Sequence, residues 1–223
     1  PQDRINRLVA YAALFKLAAE QAGLPVHTLA LQRDAHGKPQ LQLPAGCPPL
    51  HASLSHSGQW VAIALAAGPV GIDIERVRDF DWQPLRRVHF ANDPWPKGVD
   101  PTLAFHHLWC SKEAVLKVTG SGLSQTPSQL TLHPPSSDFQ PLRAWPEGSG
   151  LGRVQVALIQ APAGYAAAAA LLLGGIAAAE DGQAKLRPPR VHCTVVTLPS
   201  MCESCYERER EPHRGSIPST EEE

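Results

Sequence analysis

Apolar residues recur along this chain at two different steps, and the changes of step mark out its elements. Leu8, Tyr11, Ala12, Phe15 and Ala19 fall three and four residues apart, which predicts an amphipathic helix over 3–22, stopped by Gly23 and Pro25. The helix opens almost at residue 1, so a preceding N-terminal element is expected and the first unit reads as truncated. Residues 32–49 are polar and rich in Gly and Pro, a loop whose one expected strand is an edge strand over 40–43. Trp60–Ala66 is apolar and compact. After the turn signal Ala67-Gly68-Pro69, Val70, Ile72 and Ile74 alternate with Gly71, Asp73 and Glu75, the period of a half-buried strand. These two runs predict a hairpin.

Residues 77–99, with Trp82, Pro84, Pro94, Trp95 and Pro96, predict a long irregular connection. The next helix is sharply punctuated, with Asp100 as N-cap, Pro101 at its first position and Gly120 as its left-handed stop. Ala104, Phe105, Leu108, Trp109, Val115 and Leu116 share one arc of it, with Glu113 and Lys117 on the shoulder. Lys112 falls inside the apolar arc, where an ammonium is costly unless it snorkels out or meets an anion. Runs over 154–160 and 165–173 predict a second hairpin around Ala161-Pro162-Ala163-Gly164. Helix then hairpin thus occurs twice, an α+β pattern, and we divide the chain into units 1–69 and 70–179 and a tail, 180–223, expected to be disordered.

Composition narrows the function classes. With 223 residues, 43% apolar and 18% charged, the chain can bury one full core or two small ones. A net charge of -1 argues against non-specific nucleic-acid binding, so any anion must be met by a local cluster. The stretch 165–179 is Ala-rich and shorter than the roughly 20 residues of a membrane span, so it reads as buried core. The opening residues show no charged-then-apolar leader. Cysteines at 47, 110, 193, 202 and 205 suggest no disulfide framework, and a cytoplasmic location is expected.

Chemistry concentrates in two stretches. Asp73 and Glu75, two apart on a strand, would share one face, and Glu113 could supply a third carboxylate, a set suited to Mg²⁺. Acids so spaced also make an ordinary solvated face, and spacing alone leaves both readings open. Glu113 and Lys117, one turn apart, could serve as base and phosphate-stabilising cation, or form a surface pair. Ser53-Leu54-Ser55-His56-Ser57, placed between a loop and a strand, could contact phosphate oxygens or be a serine-rich turn. No Gly-x-Ser-x-Gly supports a serine hydrolase, and Gly120-Ser121-Gly122 is too short for a dinucleotide fingerprint. Cys202, Cys205, His192, Cys193 and His213 form half a zinc pattern at best, and Cys110 reads as packing.

Val70-Gly71-Ile72-Asp73-Ile74-Glu75 and Trp109-Cys110-Ser111-Lys112-Glu113-Ala114-Val115-Leu116-Lys117, with Gly37-Lys38-Pro39 and Ser53-Leu54-Ser55-His56, resemble the signatures of the Sfp-type 4′-phosphopantetheinyl transferases. The resemblance covers about residues 3–173. It implies two similar halves related by a pseudo-two-fold, with coenzyme A and Mg²⁺ in the cleft between them. It assigns Asp73, Glu75 and Glu113 to the metal, with Glu113 also as base. It places Lys112 and Lys117 near the diphosphate, Lys38, Ser55 and His56 on coenzyme A phosphates, and Arg7 towards the nucleotide. The implied partner is an apo acyl or peptidyl carrier protein, whose serine receives phosphopantetheine as 3′,5′-ADP leaves; a monomer is expected. The alternative is a truncated relative that binds coenzyme A or carrier protein without turnover, and a weaker one is a zinc-dependent interaction protein.

Overall fold

Two long helices and two antiparallel sheets bury the faces that these periodicities mark. The computed structural model describes residues 2–34, 38–120, 126–173 and 191–197. The first unit comprises helix α1 (Gln2–Ala22), strands β1 (Ala30–Arg33) and β2 (Pro39–Gln42), and strands β3 (His51–Ser57) and β4 (Trp60–Ala66). The second comprises β5 (Val70–Arg76), the short helix α2 (Gln83–His89), helix α3 (Pro101–Thr119), and strands β6 (Gln140–Pro141), β7 (Val154–Leu158) and β8 (Tyr165–Leu172). A last strand, β9 (Val191–Thr197), returns to the first unit. The sheets run in the orders β3-β4-β9 and β5-β8-β7-β6, with β1 and β2 as a separate hairpin. The α+β class expected from the sequence is the class adopted.

The layers follow from alternation. Val61, Ile63 and Leu65 of β4 meet Ala10, Leu14 and Ala18 of α1, while Ala62, Ala64 and Ala66 on its other face meet Val70, Ile72 and Ile74 of β5 and Ala167 and Ala169 of β8. The opposite face of β8, Ala166, Ala168 and Ala170, packs with Phe105, Leu108, Ala114 and Val115 of α3. The order is therefore helix, sheet, sheet, helix. The alanine run is small because β8 is covered on both faces, which fits the core reading over Tyr165–Leu172; residues 174–179 of that stretch lie outside the described residues. Among the described residues no helix is long and apolar enough to cross a membrane.

The α3 punctuation is as expected: the Asp100 carboxylate accepts from Leu103 N at 3.0 Å, and Gly120 sits at φ 68°. The hairpin at 161–164 also forms, joining β7 to β8. Four expectations are corrected. β4 and β5 do not form a hairpin, because β4 is paired on one edge by β3 and on the other by β9, and β5 pairs along its whole length with β8. The polar stretch after α1 holds a two-stranded hairpin, since Ala30–Arg33 supplies a partner for Pro39–Gln42. The irregular connection contains α2, whose Leu85 and Val88 are exposed and so gave no core-facing period. Residues 191–197, assigned to a disordered tail, form β9, because Val191, Cys193 and Val195 pack on the inter-sheet core. Residues 202, 205 and 213 of the half zinc pattern, and 121–122 after α3, lie outside the described residues.

One backbone approach sets the second unit. A Cβ at Gly71 would fall 1.9 Å from the Ala114 carbonyl oxygen and 3.0 Å from Val118 N, so β5 touches α3 where only hydrogen can stand between them. Gly71→Ala must therefore push strand and helix apart. Overpacking of this kind costs about 1–3 kcal/mol. We expect Tm to fall by roughly 4–10 °C in a thermal melt; an unchanged Tm would show that the contact yields at no cost.

Candidate active site

Gly71, Asp73 and Glu75 share the α3-facing side of β5, because side chains alternate along a strand while Val70, Ile72 and Ile74 enter the core between the sheets. Asp73 is 3% exposed. Its Oδ1 lies 2.7 Å from Lys117 Nζ on α3 and 2.8 Å from the Ser55 hydroxyl on β3, which donates to it. Lys117 also donates to the Ile72 carbonyl at 3.1 Å, so its ammonium is held over the strand. Asp73 Oδ2 is buried with no hydrogen-bond partner. Glu75 Oε2 accepts from the Ser57 hydroxyl at 2.8 Å. The serines, for which phosphate contact and a serine-rich turn were both open, stand on β3 facing the acids, and Ser55, expected on coenzyme A phosphates, is bonded to Asp73.

The carboxylates are under mutual strain. Burial raises Glu75 above the ordinary range and Asp73 adds to this, while Ser57, Lys117 and Arg78 oppose it. Burial likewise raises Glu113, with Asp73 and Glu75 adding and Lys117 opposing. Glu113, expected near this pair, therefore shares one electrostatic field with both β5 acids. Among the described residues no three His, Cys, Asp or Glu side chains converge into a ready-made metal cage. The donor set still suits a hard cation: hard oxygen ligands, a shared excess of negative charge, and one carboxylate oxygen without a partner. Cys110 is fully buried, its Sγ 3.4 Å from the Ala166 carbonyl, and burial first, then the acids, drives its thiol well up. It is packing, as expected.

The remaining candidates lie further out. Lys38 Nζ donates to the carbonyls of Lys117 at 2.5 Å, Val118 at 2.9 Å and Val70 at 3.3 Å, capping the C-terminal end of α3. Burial lowers its ammonium to about 8, with Asp34 opposing. It borders a cavity of about 390 Å³ between the β1–β2 hairpin and that helix end, with Gln40, His51, Pro69 and Thr119 also in the wall. Arg7 on α1 and His56 on β3 are exposed, and no hydrogen bond or ion pair among the described residues joins either to the acids. On β9, burial pushes the Cys193 thiol up to about 11.

Comparison with known proteins places both parts of the chain in one family. The family model of the 4′-phosphopantetheinyl transferase superfamily matches residues 69–170, and that of the 4′-phosphopantetheinyl transferase N-terminal region matches residues 1–68. The chain belongs to the 4′-phosphopantetheinyl transferase superfamily. It is 35% identical over 133 residues to the 4′-phosphopantetheinyl transferase psf-1 of Bacillus pumilus, covering 58% of this chain and 56% of that protein. It is 30% identical over 127 residues to the 4′-phosphopantetheinyl transferase Sfp of Bacillus subtilis strain 168, covering 55% of each. A putative 4′-phosphopantetheinyl transferase of Haemophilus influenzae is 38% identical over 82 residues, 32% of this chain and 34% of that protein. The chain thus spans about half the length of the curated relatives it matches.

In this superfamily member one motif lysine is not at the acid cluster. Lys112, expected near the diphosphate, is 1% exposed, and its Nζ lies 2.5 Å from Asp93 Oδ2. It also donates to the carbonyls of His89, Leu130 and Pro127 at 2.7, 2.8 and 2.9 Å, and sits 4.9 Å from the centre of the Phe90 ring. The ammonium met an anion inside the protein and did not snorkel out. Burial lowers Lys112 from its ordinary value, and Asp93 opposes that shift. The role of Asp93, whose Oδ1 accepts from Leu132 N at 2.8 Å, was missed, since nothing in its neighbourhood in sequence points to a residue nineteen positions later. Lys112→Met strands the Asp93 charge and three carbonyls. Breaking a buried pair costs about 3–5 kcal/mol. Urea titration should show that loss for Lys112→Met and a smaller one for Lys112→Met combined with Asp93→Asn, whose amide oxygen can still accept from Leu132 N. A wild-type midpoint for the single variant would remove the pair from the account of stability.

Proposed function

We propose that this chain transfers the 4′-phosphopantetheine group of coenzyme A to a serine hydroxyl of an apo acyl or peptidyl carrier protein, with Mg²⁺, releasing 3′,5′-ADP. The observation that carries the reading is the buried Asp73 carboxylate, tied through one oxygen to Lys117 and Ser55 with the other oxygen unpartnered, in one field with Glu75 and Glu113. Asp73, Glu75 and Glu113 would hold the cation. Mg²⁺ is commonly held by one or two carboxylates together with substrate phosphates and waters, so a closed protein cage is not required, and when bound it supplies charge neutralisation to the diphosphate.

The other steps belong to the chain's own groups. The serine oxygen forms a bond to the β-phosphorus of coenzyme A as the bond from that phosphorus to the bridging oxygen breaks. Glu113, raised by burial and by its acidic neighbours, accepts the serine proton. Lys117, 31% exposed at the side chain and fixed over β5, meets the charge that develops on the leaving diphosphate oxygen. Arg7 and His56, both exposed, are available to the phosphates of coenzyme A, and Lys38 borders the cavity at the end of α3. Ser55 is assigned to Asp73, and Lys112 to the fold. Free thiols at Cys47, Cys110 and Cys193 suit a reducing cytoplasm, and we take the active species to be a monomer.

Intact mass of an apo carrier protein after incubation with this chain, coenzyme A and Mg²⁺ tests the reading. We expect a gain of roughly 340 Da that Asp73→Ala and Glu113→Ala abolish. No gain on any of several carriers, from folded protein, would overturn it.

The same acids should weaken the fold. Glu75 and Glu113 titrate above their ordinary value of 4.5 in the folded chain, so between that value and the raised ones the folded state binds more protons than the unfolded. The stability they contribute is fully present below about 4.5 and is lost as pH climbs through the raised values. At pH 7.5 in chelator, Glu113→Gln is expected to raise Tm by roughly 1–3 °C, and with Mg²⁺ present to abolish transfer. A lowered Tm would mean that the carboxylate is favourably held.

A further inference from the structure

The junction of the two units is made by hydroxyls. β3 and β5 are each the end strand of their own sheet, and no backbone ladder pairs them. Ser53, Ser55 and Ser57 stand at alternate positions on β3, so all three point to one side, and all three are buried, at 4, 9 and 6% exposure. Ser53 Oγ accepts from Ile72 N at 3.1 Å, and Ser57 Oγ accepts from Arg76 N at 3.0 Å. An end strand turns a row of N–H groups away from its neighbour, and these two serines satisfy part of that row on β5. Between and beside them, Ser55 donates to Asp73 Oδ1 and Ser57 to Glu75 Oε2, both at 2.8 Å.

The hydrogen count fixes the direction at Ser57. A hydroxyl has one proton and two acceptor positions. Because Ser57 Oγ takes the Arg76 N–H, its own proton is left for Glu75, and the backbone contact aims that proton at the carboxylate. Ser55 and Lys117 both engage Oδ1 of Asp73, which turns Oδ2 away from the ladder and leaves it unpartnered.

We propose that Ser55 and Ser57 are positioning residues, by which the first unit, contributing no acid of its own, sets the orientation of Asp73 and Glu75 for a divalent cation, with Ser53 and Ser57 clipping the two sheets together. The proposal rests on the metal reading given above, and its experiment separates the two. Mn²⁺ alone is titrated into the full chain and the free ion is read by electron paramagnetic resonance. Backbone amide exchange is measured by NMR on the same variants. Loss of a partner that orients a metal ligand typically costs 10–100-fold in affinity, so Ser55→Ala and Ser57→Ala should weaken Mn²⁺ binding about tenfold or more, with Ser57→Thr within about threefold of wild type. Asp73→Ala should abolish binding. Amide exchange should quicken about tenfold at Ile72 in Ser53→Ala and at Arg76 in Ser57→Ala, without global loss of protection. If Ser57→Ala does not fold, Ser57→Thr against Ser57→Val, near-isosteres that differ in the hydroxyl, makes the same comparison. Wild-type Mn²⁺ affinity in both alanine variants overturns the positioning role and leaves the metal reading standing. Failure of the wild-type chain to bind Mn²⁺ overturns the metal reading and the positioning role with it, while the amide exchange still decides whether the hydroxyls clip the sheets.

Discussion

The site depends on how closely β5 lies on α3. The strand runs antiparallel to the helix: Lys38 reaches the Val70 carbonyl together with those of Lys117 and Val118, Gly71 abuts Ala114, and Asp73 lies within the electrostatic reach of Cys110. Two residues of strand advance about 6.6 Å. Four residues of helix advance about 6 Å. The step from Gly71 to Asp73 therefore matches the step from Ala114 back to Cys110, and a contact that only glycine permits sets the level at which the acid stands. Lys117 reaches that level because helix side chains lean towards the N-terminus, so its ammonium comes back over the strand to Asp73.

The helix motif divides its two lysines between different tasks by the same geometry. Lys112 and Lys117 are five residues apart, which at about 100° per residue separates them by roughly 140° around α3. One cleft cannot receive both. Lys117 takes the side that faces β5, and Lys112 takes the side that faces the 89–93 and 127–130 segments, where Asp93 and three carbonyls replace water. A lysine inside an apolar arc was the anomaly of the helical wheel, and its resolution is an internal anion supplied by the irregular connection.

What was legible in the sequence was whatever local periodicity or capping decides. The α3 boundaries, the alternation of β5 and the β7–β8 hairpin follow from residues within one element. Pairing partners were less legible, because they depend on which edges other strands have already filled. β5 follows β4 by only three residues, yet β9 and β3 occupy both edges of β4, and that competition is decided more than a hundred residues away. Within the candidate site, spacing put Asp73 and Glu75 on one strand face and Glu113 and Lys117 one helical turn apart but left open whether they form a site or a solvated surface, and the family resemblance singled them out. Asp93 and the aim of Ser57 were not legible, since each acts on a group in another element. The signal for the serines is their two-residue step, which marks a strand face, but a strand face alone does not say which group across the junction it meets.

The choice of serine at the junction has an electrostatic logic. A cationic side chain on β3 would also hold Asp73 and Glu75, but it would cancel the excess negative charge on which the proposed cation site depends. A hydroxyl contributes about 1 kcal/mol per hydrogen bond and leaves the formal charge of the carboxylate intact. With Ser55 and Ser57 neutral, Lys117 is the cation in direct contact with Asp73 among the described residues, and its side chain stays partly exposed. Burial of three acids against one lysine raises Glu75 and Glu113, so the folded chain holds more repulsion than its stability requires. The apolar layers on either side absorb that repulsion: the β4–β5–β8 core below and the α3–β8 core above keep the strand and helix from spreading. The alanines of β8 thus belong to the site: Ala168 and Ala166 stand opposite Asp73 and Glu75 in the ladder, and larger side chains there would lift α3 away from β5 and separate Lys117 from Asp73.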